Sequence, residues 1–187
     1  MAYTMSEKYD RIAARVEKAS GRNPIEIIKG IMREDFVNMH GPEHHFLDGA
    51  AFLAAYKNAG GALDLSKALE ALRERTIKMP GAMCGLWGVC GSVASIGAAL
   101  SVIHGTGPLS CDDFYKEHMQ YAASCLQEMS KIGGPRCCKR NAFLSIAVAV
   151  KFVEEKYGVK MESGDIACEF TDRNEQCIKK RCPFFRA

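Results

Sequence analysis

The chain has 187 residues, 48% of them hydrophobic, and a formal net charge of +3. Such a chain can bury one domain-sized core. Its scattered Lys and Arg residues form no aromatic-studded basic stripe, so no nucleic-acid partner is expected. The opening MAYTMSEKYDRIAARVEK has no basic segment leading into an apolar run, so a cytoplasmic location is expected. A reducing cytoplasm rarely keeps structural disulfides, and an odd total of nine cysteines cannot all pair within one chain. Metal binding or thiol chemistry is therefore the expected use of these cysteines.

Apolar spacing is helical along nearly the whole chain, and no alternating run reads as a strand. Tyr9, Ile12, Ala13 and Val16 form one stripe. Ile27, Ile28 and Ile31 belong to a second helix opened by NPIE, with Asn23 as N-cap, Pro24 at the first helical position and Glu26 at the capping-box position. A third helix is predicted after Asp48, stopping at Gly60 and Gly61, and a fourth from Asp64 to about Lys78. Phe114, His118, Tyr121, Cys125, Met129 and Ile132 step by three or four along a long helix ended by GGP. A last helix starts near Cys138 and carries Phe143, Ile146, Val150, Val153 and Tyr157 to a stop at Gly158. The expected architecture is a single all-α domain, with residues 1–37 as an N-terminal helical extension and residues 38–187 as a cysteine-rich core.

One segment departs from the amphipathic pattern. MPGAMCGLWGVCGSVASIGAALSVIHGTGPLS, residues 79–110, contains no Asp, Glu, Lys or Arg. Glycine, serine and cysteine dilute its hydrophobicity and no second such segment exists, so a buried central helix is expected in preference to a membrane span. Gly85, Gly88, Ser92, Ser95 and Ala99 would then share a small-residue face. Each interior glycine costs up to about 1 kcal/mol relative to alanine, so this face is expected to serve close packing or a ligand, with Gly85 and Gly88 as cofactor-contacting positions.

The cysteines divide by context. Cys125 lies in an apolar stripe and reads as core. Cys111, in SCDDF, lies at a helix start. Cys168, Cys177 and Cys182, spaced C-x8-C-x4-C, lie in a turn-rich tail with little apolar material of its own. With Cys137 or Cys138 they make four thiols, the usual number for tetrahedral zinc or a cubane iron–sulfur cluster. An iron–sulfur cluster is expected ahead of zinc, since the C-x2-4-C pairs of zinc sites are absent and Pro183 follows the last Cys. Positive charge also gathers beyond residue 135, and Cys137 and Cys138 are flanked by Arg136, Lys139 and Arg140 at a helix start. That setting favours a lowered thiol pKa; a vicinal disulfide there would be strained. Cys84 and Cys90 bracket the start of the glycine-rich segment and could meet if Cys84 precedes the first turn.

Histidines cluster in MHGPEHHFLDG, where His40, Glu43, His44 and His45 are expected to form a site loop for metal binding or proton transfer. His118 lies on an apolar helix face and reads as a satisfied core histidine.

The motifs MHGPEHHFLDGAAFLAAYKNAGG, PGAMCGLWGVCGSVASIGAAL, GGPRCCKRNAFLSI and NEQCIKKRCPFF, in this order, resemble a cysteine-rich domain family of unknown function from anaerobic microbes. The likeness runs from about residue 38 to the C-terminus. It implies a common fold and an anaerobic, metal-rich or sulfur-rich setting, and it transfers no catalytic role.

The resulting expectation is an iron–sulfur protein of redox or sulfur metabolism, with the cluster or a closed metal site held by Cys138, Cys168, Cys177 and Cys182. A second, chemically active site would combine Cys84 and Cys90 with His44, His45 and Glu43. A small sulfur-containing or metal-bound substrate and a redox partner protein are the expected partners. The alternative is a non-enzymatic zinc-stabilised module or metal carrier. Nothing in the sequence sets the oligomeric state.

Overall fold

The computed structural model describes residues 3–186 and contains eight α-helices and, among those residues, no strand. They are α1 (Met5–Glu17), α2 (Pro24–Met32), α3 (His44–Asn58), α4 (Leu65–Thr76), α5 (Met83–Leu86), α6 (Gly91–His104), α7 (Asp113–Ile132) and α8 (Cys138–Tyr157). Two 3-10 turns, Thr171–Arg173 and Lys179–Arg181, follow in the tail. The helix starts are set by local chemistry. Thr4 and Glu7 form a capping box on α1, and Asn23 accepts from the Ile25 and Glu26 amides at α2. Asp64 caps α4 and Asp112 caps α7.

Two helices form the centre. In α3 every residue from His44 to Tyr56 is buried, and α6 packs between α3, α4, α7 and α8. The two approach so closely that a Cβ at Gly49 would stand 2.9 Å from both the backbone oxygen and the Oγ of Ser95. Ser95 in turn accepts the Gly49 amide at 2.8 Å. Ser95 is therefore used for close packing and Ala99 is buried on the same helix, whereas Ser92 lines a cavity at the helix start.

The expected continuous central helix is broken. Left-handed backbone at Ala82 and Gly88 confines α5 to one turn and delays α6 to Gly91. Gly85 and Gly88 consequently lie outside α6, exposed beside an open groove, and take no part in its packing face. Among the described residues no helix is long and apolar enough to cross a membrane.

The N-terminal helices are not an appendage to this centre. Tyr9 stacks on Phe46 with centroids 4.6 Å apart, and Ile12, Val16, Ile28 and Met32 are buried in the same core. The tail likewise contributes apolar material: Phe170 and Phe184 are buried, and Phe184 meets Phe143 edge-on at 5.7 Å.

Candidate functional site

Several helix starts come together at one end of the bundle. The first turns of α3, α6 and α8, with α5 and the 38–43 loop, enclose a cavity of about 330 Å3. His44 and His45 lie on α3, which starts at His44 rather than after Asp48, so they occupy a helical turn and not the expected loop. Helical spacing places Asp48 beside both. Cys84 comes from α5, Cys90 from the N-cap of α6, and Cys138 from the first residue of α8. Cys84, Cys90 and Cys138 thus line one cavity with His40, His44, His45 and Asp48.

This cavity contains buried polar atoms that the protein leaves without hydrogen-bond partners. Both carboxylate oxygens of the fully buried Asp48 are unpartnered, as are Nδ1 of His44, Nδ1 of His45 and Oγ of Ser92. An unmet buried polar atom costs about 1–3 kcal/mol, more when charged. His44 is fixed from the far side. Lys139 Nζ donates to the Asn38 carbonyl at 2.8 Å and lies 3.1 Å from His44 Nε2. A proton donated to Nε2 leaves the ring's own proton on Nδ1, which faces Asp48 Oδ1 at 3.5 Å. His45 abuts Gly91, where a Cβ would collide with its ring.

Glu43 lies behind this wall and not in it. It is fully buried, pairs with Lys8 at 3.3 Å and accepts the Asn38 amide at 2.7 Å. Burial works to raise its carboxyl, but its own amide, the Asn38 amide, His44 and Lys8 together hold it below the usual range. Its position is that of a brace between α1 and α3.

A second, much narrower cavity of about 20 Å3 lies on the other side of the α8 start. It is lined by Cys137, Cys168, Cys177 and Cys182, with apolar walls that include Phe170 and Phe184. Three of these sulfurs accept backbone amides: Cys137 from Arg140 at 3.4 Å, Cys168 from Phe170 at 3.5 Å and Cys177 from Lys179 at 3.4 Å. Cys137 also receives Asn174 Nδ2 at 3.6 Å, and Asn174 Oδ1 lies 3.1 Å from His40 Nε2, a link between the two cavities. Cys137, rather than the expected Cys138, is the vicinal cysteine that lines the tail cavity; Cys137 also borders the polar cavity, and Cys138 lines only the polar one. Among the described residues, no group of three or more His, Cys, Asp or Glu side chains is already arranged to hold a metal ion.

The lowered thiol pKa expected at these helix starts is overturned by burial. Desolvation pushes Cys90, Cys137 and Cys168 up, and Cys138 up to about 12, despite donation from Asn141 to Cys90 and from the Gly41 amide to Cys138. The flanking cations do not compensate. Lys139 is itself buried and pushed down to about 8 by desolvation, and Arg140 is engaged by the carbonyls of Gly133 and Pro135.

Elsewhere Cys125 is buried and donates to Ser145 Oγ at 3.6 Å, as a core thiol should. Cys111 is exposed. His118 is half-buried and satisfied, with Nε2 at 3.0 Å from His104 Nδ1 and Nδ1 at 3.2 Å from Thr106 Oγ1.

Fold and site together define an all-helical, cysteine-rich protein in which two adjacent cysteines stand where two cavities meet. The chain belongs to the Family of unknown function (DUF5714), whose model matches residues 12–185. That match takes in the C-terminal part of α1, from Ile12, and all of α2, in keeping with the shared core. No curated protein and no solved structure matches the chain.

Proposed function

We propose that this chain is a metal-binding protein that carries an iron–sulfur cluster on Cys137, Cys168, Cys177 and Cys182 and serves redox or sulfur chemistry in an anaerobic setting. The observation that supports this reading is the tail cavity itself. Four thiols from two distant segments line one apolar space, and backbone amides already point at three of the sulfurs. Cluster-bearing thiolates have this environment, because N–H donors and low exposure tune the negative charge on the sulfurs. The four thiols would give up their protons on metal binding.

A closed zinc site is the second reading, favoured by the narrowness of the cavity. The decisive experiment is an ultraviolet–visible spectrum with iron, sulfide and zinc analysis on protein purified without oxygen. Broad thiolate-to-iron absorption with matched iron and sulfide is expected, abolished by Cys182→Ser and retained in Cys138→Ser. A colourless protein with about one zinc, lost in the same variant, transfers the site to zinc. Metal content unchanged by Cys182→Ser defeats both readings.

A further inference from the structure

The polar cavity poses a separate problem. Asp48 is fully buried with neither oxygen satisfied, and the neighbouring His45 Nδ1 is unpartnered too. Cys90, Cys138 and His45 line the same cavity as this carboxylate, and His45 stands one helical turn before it. Each sits near the start of a packed helix, so the backbone positions are fixed while the side chains can rotate.

We propose that this cavity is a second, open metal site, for a divalent cation of the zinc class bound by Cys90, Cys138, Asp48 and His45. Two sulfurs, one imidazole nitrogen and one carboxylate oxygen are a borderline-soft donor set that suits such an ion. The ion supplies the positive charge that the Asp48 oxygens lack. Binding releases the two thiol protons to solvent, the two thiolates cancel the charge of the ion, and Lys139 offsets Asp48 through its position beside His44. Side-chain rotation, with Asn141 Nδ2 releasing Cys90 Sγ from 3.2 Å, completes the ligand set. The lysine–histidine contact also acts beyond the ligands: it orients His44 toward Asp48, as outer groups orient metal-bound carboxylates. A cavity of about 330 Å3 exceeds the needs of one ion, so room remains beside it for a small ligand of the ion.

The proposal stands apart from the tail cluster, and the test separates them. Cobalt(II) is added anaerobically to the full-length protein as purified, and thiolate-to-cobalt absorption is titrated in wild type, Cys182→Ser, Cys90→Ser and Asp48→Asn. One equivalent is expected in wild type and in Cys182→Ser. Loss of a direct ligand should weaken it by more than about 100-fold in Cys90→Ser and Asp48→Asn, beyond the range seen for outer-shell changes. Cobalt binding that disappears only in Cys182→Ser, or that survives unchanged in Cys90→Ser and Asp48→Asn, overturns the proposal. Should a variant lose its helical circular dichroism, X-ray absorption on cobalt-loaded Cys182→Ser protein decides. A shell of two sulfur and two nitrogen or oxygen neighbours supports the site, and any shell without sulfur overturns it.

Discussion

Cys137 and Cys138 are consecutive and stand between two cavities that differ in how their polar atoms are treated. On the Cys137 side, amides from Arg140, Phe170 and Lys179 meet sulfurs inside apolar walls, and little space is left. On the Cys138 side the cavity is some fifteen times larger by volume, about 330 against 20 Å3, and Asp48, His44, His45 and Ser92 keep unmet polar atoms. The fold supplies amide donors to three of the four tail sulfurs, and leaves the buried oxygens of Asp48 in the polar cavity with none. Burial alone does not make a site; the informative quantity is which buried groups the fold does not satisfy.

The comparison can be broken most severely at the brace behind the polar cavity. Glu43→Ala strands Lys8 without its partner and should cost about 3–5 kcal/mol in a urea unfolding experiment. A loss under about 1 kcal/mol would show that Glu43 is not a structural brace. Next in size is Gly91→Ala, whose Cβ drives into the His45 ring and should cost about 1–3 kcal/mol. Its sharper readout is selective: cobalt binding in the polar cavity weakens while the tail chromophore keeps its intensity.

A third prediction lies away from both cavities and serves as a reference. Burial, with His104 beside it, pushes His118 down to about 4 from 6.5, against smaller opposing effects of Glu117 and Asp112. Between these values the unfolded chain takes up the proton and the folded one does not. The contribution of His118 is therefore fully present above about pH 6.5 and is lost as pH falls toward 4. Because His118 is only half-buried, screening limits the effect to at most about 2 kcal/mol. His118→Gln should flatten that part of the stability curve, and an unchanged slope would count against it. The smallest effect is expected for Cys84→Ser, within about 0.5 kcal/mol and with cobalt binding intact, because Cys84 lies on the short α5 at the cavity edge. Loss of cobalt there would redraw the ligand set.

Helix positions were legible in the sequence because apolar residues recur at helical spacing and because Asn23, Asp64 and Gly158 are strong boundary residues. Two boundaries were misread for physical reasons. The glycine-rich segment contains Gly88 in left-handed backbone, which periodicity cannot distinguish from a helical glycine. The start of α3 has no side-chain cap, so HHFLD carried no boundary signal. That second error hid Asp48, although its spacing of three and four from His45 and His44 on one helix was available to find it. The tail thiols were visible from their spacing. Which vicinal cysteine joins them depends on the direction each side chain takes at the α8 start, a tertiary property.

After α8, the described residues 158–186 contain two 3-10 turns as their regular elements, and the Cys168 amide closes the segment by donating to the Phe184 carbonyl at 2.7 Å. A segment held to the bundle mainly by side chains, such as Phe170, Phe184 and the Arg33–Glu169 pair, can open without the helices unfolding. Metal held by its three cysteines and by Cys137 would stitch that segment to α8, so amide exchange at residues 168–184 becomes a gauge of occupancy. Stripped protein should exchange there orders of magnitude faster than loaded protein, while α3 and α6 keep the same protection in both.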